Sequence, residues 1–218
     1  DAWTHEEGFD LSYPWKAFHA MVDIAGGKKT ANYLDSVLTE VYSVFPANAL
    51  QMYFTSNHDE NSWNKADYGT MPGAVHAPFA VLTQTWARSV PLIYSGQEEP
   101  FLDSISFFYK DTITFGKYER APFYQALLNL RASNPALAAN AAYTKINAGD
   151  PKQVFAFTRE KEGKKVLVVL NLSGKEAAVT LPDAGLAAKP STFISSMPEV
   201  PAGASYTLAP WGYAVYAY

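Results

Sequence analysis

The sequence predicts an α/β part up to about residue 140 and an all-β part over residues 141–218. Two apolar runs of strand length, residues 50–54 and 90–94, each end in a group of polar residues, and a segment of helical period lies between them. This alternation is typical of a parallel sheet covered by helices. After Asn140 the chain consists of short strand-like segments without an intervening helix, which indicates an antiparallel β-sandwich.

The composition fits a folded chain and excludes several functions. Of the 218 residues, 48% are hydrophobic and 17% are charged, a balance that excludes disorder. The net charge of −4 gives no basic field for nucleic acid, so none is expected as a partner. No apolar run is long enough to span a bilayer. Because the chain has no Cys, neither disulfides nor thiolate metal sites are available to it.

The spacing of apolar residues predicts four helices, over residues 16–24, 30–45, 73–88 and 121–133. Gly26 and Gly27 end the first helix, Pro46 stops the second, and Pro122 suits the first turn of the last. Strands are predicted over residues 9–13, 50–54 and 90–94 in the first part, and over residues 153–159, 165–171, 176–181, 191–195, 205–208 and 213–218 in the second.

These segments give the first part only about three βα units, whereas a closed parallel barrel needs about eight. Three parallel strands would leave apolar edges and faces uncovered. We therefore expect polypeptide outside this sequence to complete the sheet, and we interpret the chain as a piece of a longer protein. Its open strand edges also predict self-association.

The polar group after residue 54 is the main candidate for a site. A buried strand that ends in Asn57, His58 and Asp59 presents these side chains at one end of the sheet, which is where parallel α/β barrels assemble their sites. The same residue types also favour turns and helix N-caps. The spacing alone therefore leaves two interpretations open, a functional site and a polar loop that caps the next helix.

Residues 54–59, FTSNHD, resemble the F-x-x-N-H-D element on the seventh barrel strand of glycoside hydrolase family 13, the α-amylase family. Other segments match the family in the same order. GFDLSYPW at residues 8–15 is similar to the sixth-strand segment, VPLIYSGQE at residues 90–98 to the eighth, residues 123–137 to the last barrel helix, and residues 208–218 to the end of the C-terminal antiparallel domain. The resemblance implies that residues 1–140 are the C-terminal part of a (β/α)8 barrel, equivalent to strands 6–8, and that residues 141–218 form a β-sandwich domain.

The resemblance also implies roles for single residues. Asp59 matches the third catalytic carboxylate of the family, which neither attacks nor protonates but hydrogen-bonds the hydroxyls at positions 2 and 3 of the sugar where cleavage occurs. Contacts that tighten as the ring flattens stabilise the transition state selectively. His58 matches a neighbouring substrate-binding histidine. Asn57 either binds substrate or holds the loop, and Trp63 either stacks on a sugar or packs on its own loop.

No segment matches the other two catalytic groups of the family. A retaining glycosidase needs a nucleophile and an acid/base carboxylate about 5 Å apart, and in the family both precede the sixth-strand segment. Glu6 and Glu7 follow no apolar strand and are not interpreted as the acid/base. Gln97 and Glu98 are interpreted as scaffold. The family's calcium ligands also come mostly from earlier segments, so no cofactor is expected in this chain, and the remaining histidines have no partners at metal-ligand spacing.

The first hypothesis is a fragment of an α-amylase-type retaining glycoside hydrolase that acts on α-1,4-glucans such as starch and maltooligosaccharides. The fragment alone is predicted to be inactive, and its partners would be the α-glucan and the missing N-terminal half of the barrel. Two alternatives remain open: a non-catalytic glucan-binding module, and a fragment of a related α-glucanotransferase. Because enzymes that meet starch polymers generally work outside the cytoplasm, an extracytoplasmic location is favoured.

Overall fold

The computed structural model describes residues 2–64, 71–101, 103–181, 189–198 and 205–218. Its helices are α1 (Trp3–Glu7), α2 (Trp15–Ala25), α3 (Ala31–Val44), α4 (His58–Asn64), α5 (His76–Thr85) and α6 (Ala121–Ser133), with 3₁₀ turns at Gly73–Val75 and Pro135–Leu137. Its strands are β1 (Leu11–Ser12), β2 (Leu50–Gln51), β3 (Ala142–Ile146), β4 (Val154–Lys161), β5 (Lys164–Asn171), β6 (Ala177–Thr180), β7 (Thr192–Ser195), β8 (Ser205–Leu208) and β9 (Tyr213–Ala217).

Three extended segments of the first part run parallel to one another. β1 pairs with β2 in parallel, with Leu11 opposite Leu50. On the other side of β2, Gln51 forms a parallel bridge with Ser89, and the amide of Val90 donates to the Gln51 carbonyl (2.9 Å). The order of these segments in space therefore follows their order along the chain, as the alternation of strands and helices predicts.

The second part is mostly antiparallel sheet. Five strands in the order β3-β4-β5-β9-β7 make one sheet in which every neighbouring pair is antiparallel. β6 and β8 form a second antiparallel pair. β4 and β5 are joined by Glu162 and Gly163, whose φ angles of 53° and 73° are the left-handed values that favoured two-residue hairpin turns require.

Side chains alternate between the two faces along each strand of the larger sheet. Both faces are buried, each by a different part of the chain. Phe155 and Phe157 of β4 belong to the same apolar cluster as the buried side chains of α2, α3 and α5. Val154 and Ala156 of the same strand pack instead with side chains of β6 and β8. One core thus continues from the helices into the sheet, across residue 140. The division into domains at that residue stays a prediction.

A buried arginine connects the helices to the larger sheet. Arg159 of β4 is fully buried, and its guanidinium donates to the carbonyls of Thr85 at the end of α5 (2.7 Å), Ala138 (2.7 Å) and Ala141 (3.1 Å). Burial, and secondarily the charge of Arg131, lower the pKa of Arg159 to about 10, so the side chain stays charged at neutral pH. Carbonyls at the negative end of a helix are suitable partners for such a cation.

The structure corrects several predicted elements. Helix α4 includes Trp63, where the sequence suggests an exposed loop, and β3 has no predicted counterpart. The apolar run at residues 90–94 hydrogen-bonds to the β2 region without forming a regular strand. β1 and β2 extend over two residues each, less than the apolar runs suggest. A regular ladder needs continuous neighbours, and β1 has only β2 beside it within the described residues.

Candidate functional site

The end of β2 leads directly into α4. Residues 53–57 are buried, and Asn57 is the N-cap of the helix, since its Oδ1 accepts the amide N–H of Glu60 (2.8 Å). This cap is what the interpretation as a polar loop that caps the next helix predicts. The same turn of the chain places His58 and Asp59 in the first turn of α4.

His58 and Asp59 are exposed at this end of the sheet. Their side chains are 58% and 46% accessible, and His58 Nε2 lies 3.5 Å from Asp59 Oδ2. A carboxylate accepts hydrogen bonds, and an imidazole nitrogen that carries a proton donates them. The pair can therefore bind hydroxyl groups, which both donate and accept.

Asn57 is fully buried, and its contacts are those of a helix cap. Its Nδ2 has no hydrogen-bond partner among the described residues, and the same holds for Ser56 Oγ and Gln51 Oε1 nearby on the chain. Buried polar atoms normally have partners. This end of β2 is therefore a place where a further polar group or a water molecule is expected.

Trp63 lies one turn along α4 from Asp59, and side chains at this spacing share one face of a helix. Trp63 is 61% exposed, and its ring contacts Phe107 and Phe108 with centroids 5.3 and 6.1 Å away. These partners belong to a loop from another part of the chain, so the contact differs from packing on its own loop.

The YSGQE segment forms a scaffold behind the site. Gln97 is buried, and its Nε2 donates to Thr55 Oγ1 (2.7 Å) and to Tyr124 Oη of α6 (3.3 Å). The Tyr124 hydroxyl also hydrogen-bonds His76 Nε2 of α5 (2.6 Å). This buried network joins the chain before Asn57 to two helices, which fits the predicted scaffold role of Gln97.

Gly96 in the same segment occupies a position that only glycine fits. Its φ is +94°, and a Cβ there would lie 2.9 Å from Phe101 Cβ. The Glu98 carboxylate accepts the Gly96 amide (3.0 Å), so Glu98 also acts within the turn.

Glu99 closes a long loop. Its carboxylate accepts the backbone N–H groups of Gly116 (3.1 Å), Lys117 (2.9 Å) and Tyr118 (3.0 Å). These hydrogen bonds, that of Lys117 first, lower the pKa of Glu99 below its ordinary value. The described part of the loop that they close, residues 103–118, contains neither helix nor strand.

Comparisons with known proteins show which enzymes the chain is similar to. Residues 143–215 match the family model of the maltogenic amylase C-terminal domain. The chain is 28% identical over 181 residues to the α-amylase MalA of Haloarcula japonica, which covers 80% of this chain and 26% of MalA. It is 24% identical over 188 residues to a cyclomaltodextrinase of Thermoanaerobacter pseudethanolicus, which covers 82% of this chain and 31% of that enzyme. The maltogenic α-amylase AmyB of Thermotoga neapolitana superposes with a TM-score of 0.73 at 20% identity, over 100% of this chain and 50% of AmyB.

The chain resembles the C-terminal part of α-amylase-family enzymes. The resemblance predicted from FTSNHD and YSGQE is thus confirmed. The chain spans 26% and 31% of the length of the two curated relatives and half of AmyB.

Within this α-amylase-like fold, Glu6 and Glu7 belong to α1, which precedes β1, whereas Asp59 follows β2. α1 lies against the end of β1, since His5 Nε2 of that helix hydrogen-bonds Ser12 Oγ (2.7 Å). A retaining pair requires carboxylates about 5 Å apart. That Glu6 and Glu7 are not the partner of Asp59 stays a prediction.

The other histidines have structural contacts. His5 Nε2 hydrogen-bonds Ser12 Oγ (2.7 Å), His19 stacks on Trp15, and His76 is buried in the network described above. Within the described ranges, no group of three or more His, Asp or Glu side chains is placed to hold a metal ion. No helix in the described part of the chain combines the length and apolar character that a membrane span needs.

Sequence reasoning gave no role to the aromatic segment that carries Phe107 and Phe108. The available signal was the run FFY at residues 107–109, because an exposed apolar patch generally marks a binding site. Arg159 was also missed. It ends an apolar strand pattern, and nothing local distinguishes it from a solvated charge at a hairpin.

Proposed function

We propose that this chain is the C-terminal part of an α-amylase-type retaining glycoside hydrolase that acts on α-1,4-glucans. The observation that carries the proposal is the end of β2, where a parallel strand leads into a capped helix whose first turn exposes Asp59 beside His58. The family match over residues 143–215 and the similarity to α-amylase MalA support the same conclusion.

In this proposal Asp59 accepts hydrogen bonds from two hydroxyls of the sugar unit at the cleavage point, and His58 donates to one of them. The sugar ring flattens and gains positive charge as the glycosidic bond breaks. A carboxylate that holds the hydroxyls in that geometry binds the transition state more tightly than the ground state. Asn57 contributes by capping α4 and so fixing its first turn.

The rest of the barrel and the other two carboxylates would come from polypeptide outside residues 1–218. Two observations support this. β1 has β2 as its only strand neighbour within the described residues, and three buried polar atoms around β2 have no partner there. An unpaired buried polar group costs about 1–3 kcal/mol, so further polypeptide that supplied partners to these atoms would stabilise the chain. Residues 141–218 would be the family's C-terminal β-sandwich.

The test substitutes neighbouring carboxylates in the complete polypeptide that contains these residues. We expect Asp59→Asn to lower kcat for soluble starch by about 100- to 1,000-fold, the range seen when one group that stabilises a transition state is removed. Glu60→Gln is the matched control, because Glu60 lies in the same turn but accepts a hydrogen bond from Asn64 (2.9 Å). Release of reducing ends measures both rates.

Retained activity in Asp59→Asn, or an equal loss in Glu60→Gln, would refute the proposal. The 218-residue chain alone is expected to release no reducing ends, because it lacks a matching nucleophile and acid/base. Measurable hydrolysis by the pure chain would contradict that expectation.

The exposed aromatic rings of Trp63 and Phe108 favour a second candidate, a non-catalytic glucan-binding module. In that case the complete polypeptide would bind maltooligosaccharides without cleaving them. A glucanotransferase would instead pass the glucosyl group to a sugar acceptor, and analysis of the product lengths would distinguish it from a hydrolase.

A further inference from the structure

Three aromatic rings are exposed together next to the proposed site. Trp63 contacts Phe107 and Phe108, and the two phenylalanine rings contact each other at 5.0 Å. Trp63 is 61% exposed, Phe107 49% and Phe108 74%. We refer to these three residues as the aromatic surface. A contiguous exposed apolar area of this kind generally marks a binding site.

The loop that carries two of these rings is fixed by hydrogen bonds. From α4, Asn61 Oδ1 accepts the Ile105 amide (2.8 Å) and Ser62 Oγ donates to the Ile105 carbonyl (2.7 Å). Within the loop, the Asp111 carboxylate accepts the Ser106 amide (2.9 Å). Long loops without secondary structure are uncommon in compact folds and usually serve a function. Here the hydrogen bonds hold the loop against the helix that exposes Asp59.

The aromatic surface and Asp59 lie on the same side of α4. Trp63 follows Asp59 by four positions, which is about 6 Å along the helix axis. Side chains at this spacing are neighbours on one face. A polymer bound at Asp59 and extended along the helix would therefore pass over Trp63 and the two rings beside it.

We propose that the aromatic surface binds the sugar units of an α-1,4-glucan next to the unit held at Asp59. A glucose ring has an apolar face of C–H groups and carries its hydroxyls at the rim, so it can stack on an aromatic ring while the hydroxyls stay in water. This inference rests on the proposed function, which supplies the α-glucan. It adds Phe107 and Phe108 to the site.

The test measures the affinity of the 218-residue chain for maltoheptaose by isothermal titration calorimetry. Phe108→Ala is the leading variant, because a side chain that is 74% exposed contributes little to folding. We expect the affinity to fall about five- to tenfold, and Trp63→Ala to have a similar effect. Phe9→Ala is the matched control, since Phe9 is 64% exposed but precedes β1, at the other end of the parallel strands. It should leave the affinity unchanged.

Unchanged affinity in Phe108→Ala and Trp63→Ala would overturn the inference, and so would an equal loss in Phe9→Ala or no binding of maltoheptaose by the wild-type chain. None of these results decides the proposed hydrolysis, which depends on the Asp59→Asn assay in the complete polypeptide. Light scattering on the same samples tests whether the aromatic surface instead binds a second copy of the chain. If Phe108→Ala dissociates oligomers without changing the affinity for maltoheptaose, the aromatic surface is a contact between copies of the chain.

Discussion

Two arginines stabilise the contact between helices and sheet at the level of single residues. Arg159 donates to the Thr85 carbonyl, and Arg131 of α6 donates to the carbonyls of Gln84 (2.8 Å) and Ser89. Both cations thus meet carbonyls at or just after the end of α5, where the helix dipole is negative. The dipole and the hydrogen bonds offset part of the cost of burying the two charges.

We predict that Arg159→Met destabilises the chain by about 3 kcal/mol or more, because three carbonyls, two of them buried, lose a charged hydrogen-bond donor. Methionine keeps much of the apolar bulk, so the change reports mainly on the guanidinium. Urea unfolding measures the effect. Lys164→Met on β5 is the control, since Lys164 is exposed and surface substitutions change stability by less than about 0.5 kcal/mol. A variant Arg159→Met as stable as wild type would show that burying this charge costs as much as its hydrogen bonds contribute.

The helices and strands differ in how far the sequence predicts them. α2, α3 and α6 begin and end within one residue of the predicted bounds, because their apolar side chains recur at helical spacing and Gly, Pro or Asn stops them. α4 has no such period in HDENSWN, and it depends on the cap by Asn57. The Arg159 contacts lie 18 to 74 residues away in sequence, so no local pattern could reveal them.

The candidate site also combines residues that a local sequence pattern predicts with contacts between distant segments that it does not. The FTSNHD segment allowed Asp59 and His58 to be named, since a strand followed by that motif places them at a sheet end. The partners of Trp63 could not be named, because hydrogen bonds between α4 and Ile105 bring them there from a loop some 40 residues along the chain.

The loop closed by Glu99 leads to a prediction about pH. Its backbone hydrogen bonds lower the pKa of Glu99 in the folded state, whereas in the unfolded chain a glutamate titrates at about 4.3. At a pH between the folded-state pKa and the unfolded-state pKa of Glu99, the unfolded state binds more protons than the folded state. The stabilisation that ionised Glu99 provides is therefore complete above about pH 5 and is lost as pH falls through the folded-state pKa.

We therefore expect the difference in Tm between wild type and Glu99→Gln to be largest near neutral pH and to shrink below about pH 4. Thermal unfolding followed by circular dichroism at several pH values measures it. Glu162→Gln, in the exposed hairpin turn, is the control and should change the Tm less than Glu99→Gln does at neutral pH. A Tm difference for Glu99→Gln that stays constant from neutral to acid pH would contradict the assigned role.

The open edge of β1 is the feature of the whole molecule that most affects its behaviour in solution. The amides of Leu50 and Met52 donate to Asp10 and Ser12, so the backbone of Leu11 between them is directed to the other side, where no described strand lies. Unpaired strand edges recruit further strands. We predict that the chain forms species heavier than a monomer at high concentration.

Light scattering measures this association, and Leu11→Pro should weaken it because proline removes the outward N–H while the bonds to β2 remain. Leu128→Ala is the control, since it removes an exposed apolar side chain from α6 without touching a strand edge. A monodisperse monomer at all concentrations would count against an open edge.

The core that joins α2 and α3 to one face of the larger sheet also limits how such a protein can be recombined. Division of the chain near residue 140 would separate the helices from Phe155 and Phe157, which pack on them. Each part would then expose an apolar surface that is buried in the intact chain. We therefore expect residues 141–218 to fold less stably without the helices that pack on them. A chimera of two such enzymes that keeps both parts folded would have to take α2, α3 and the strands of the larger sheet from the same parent.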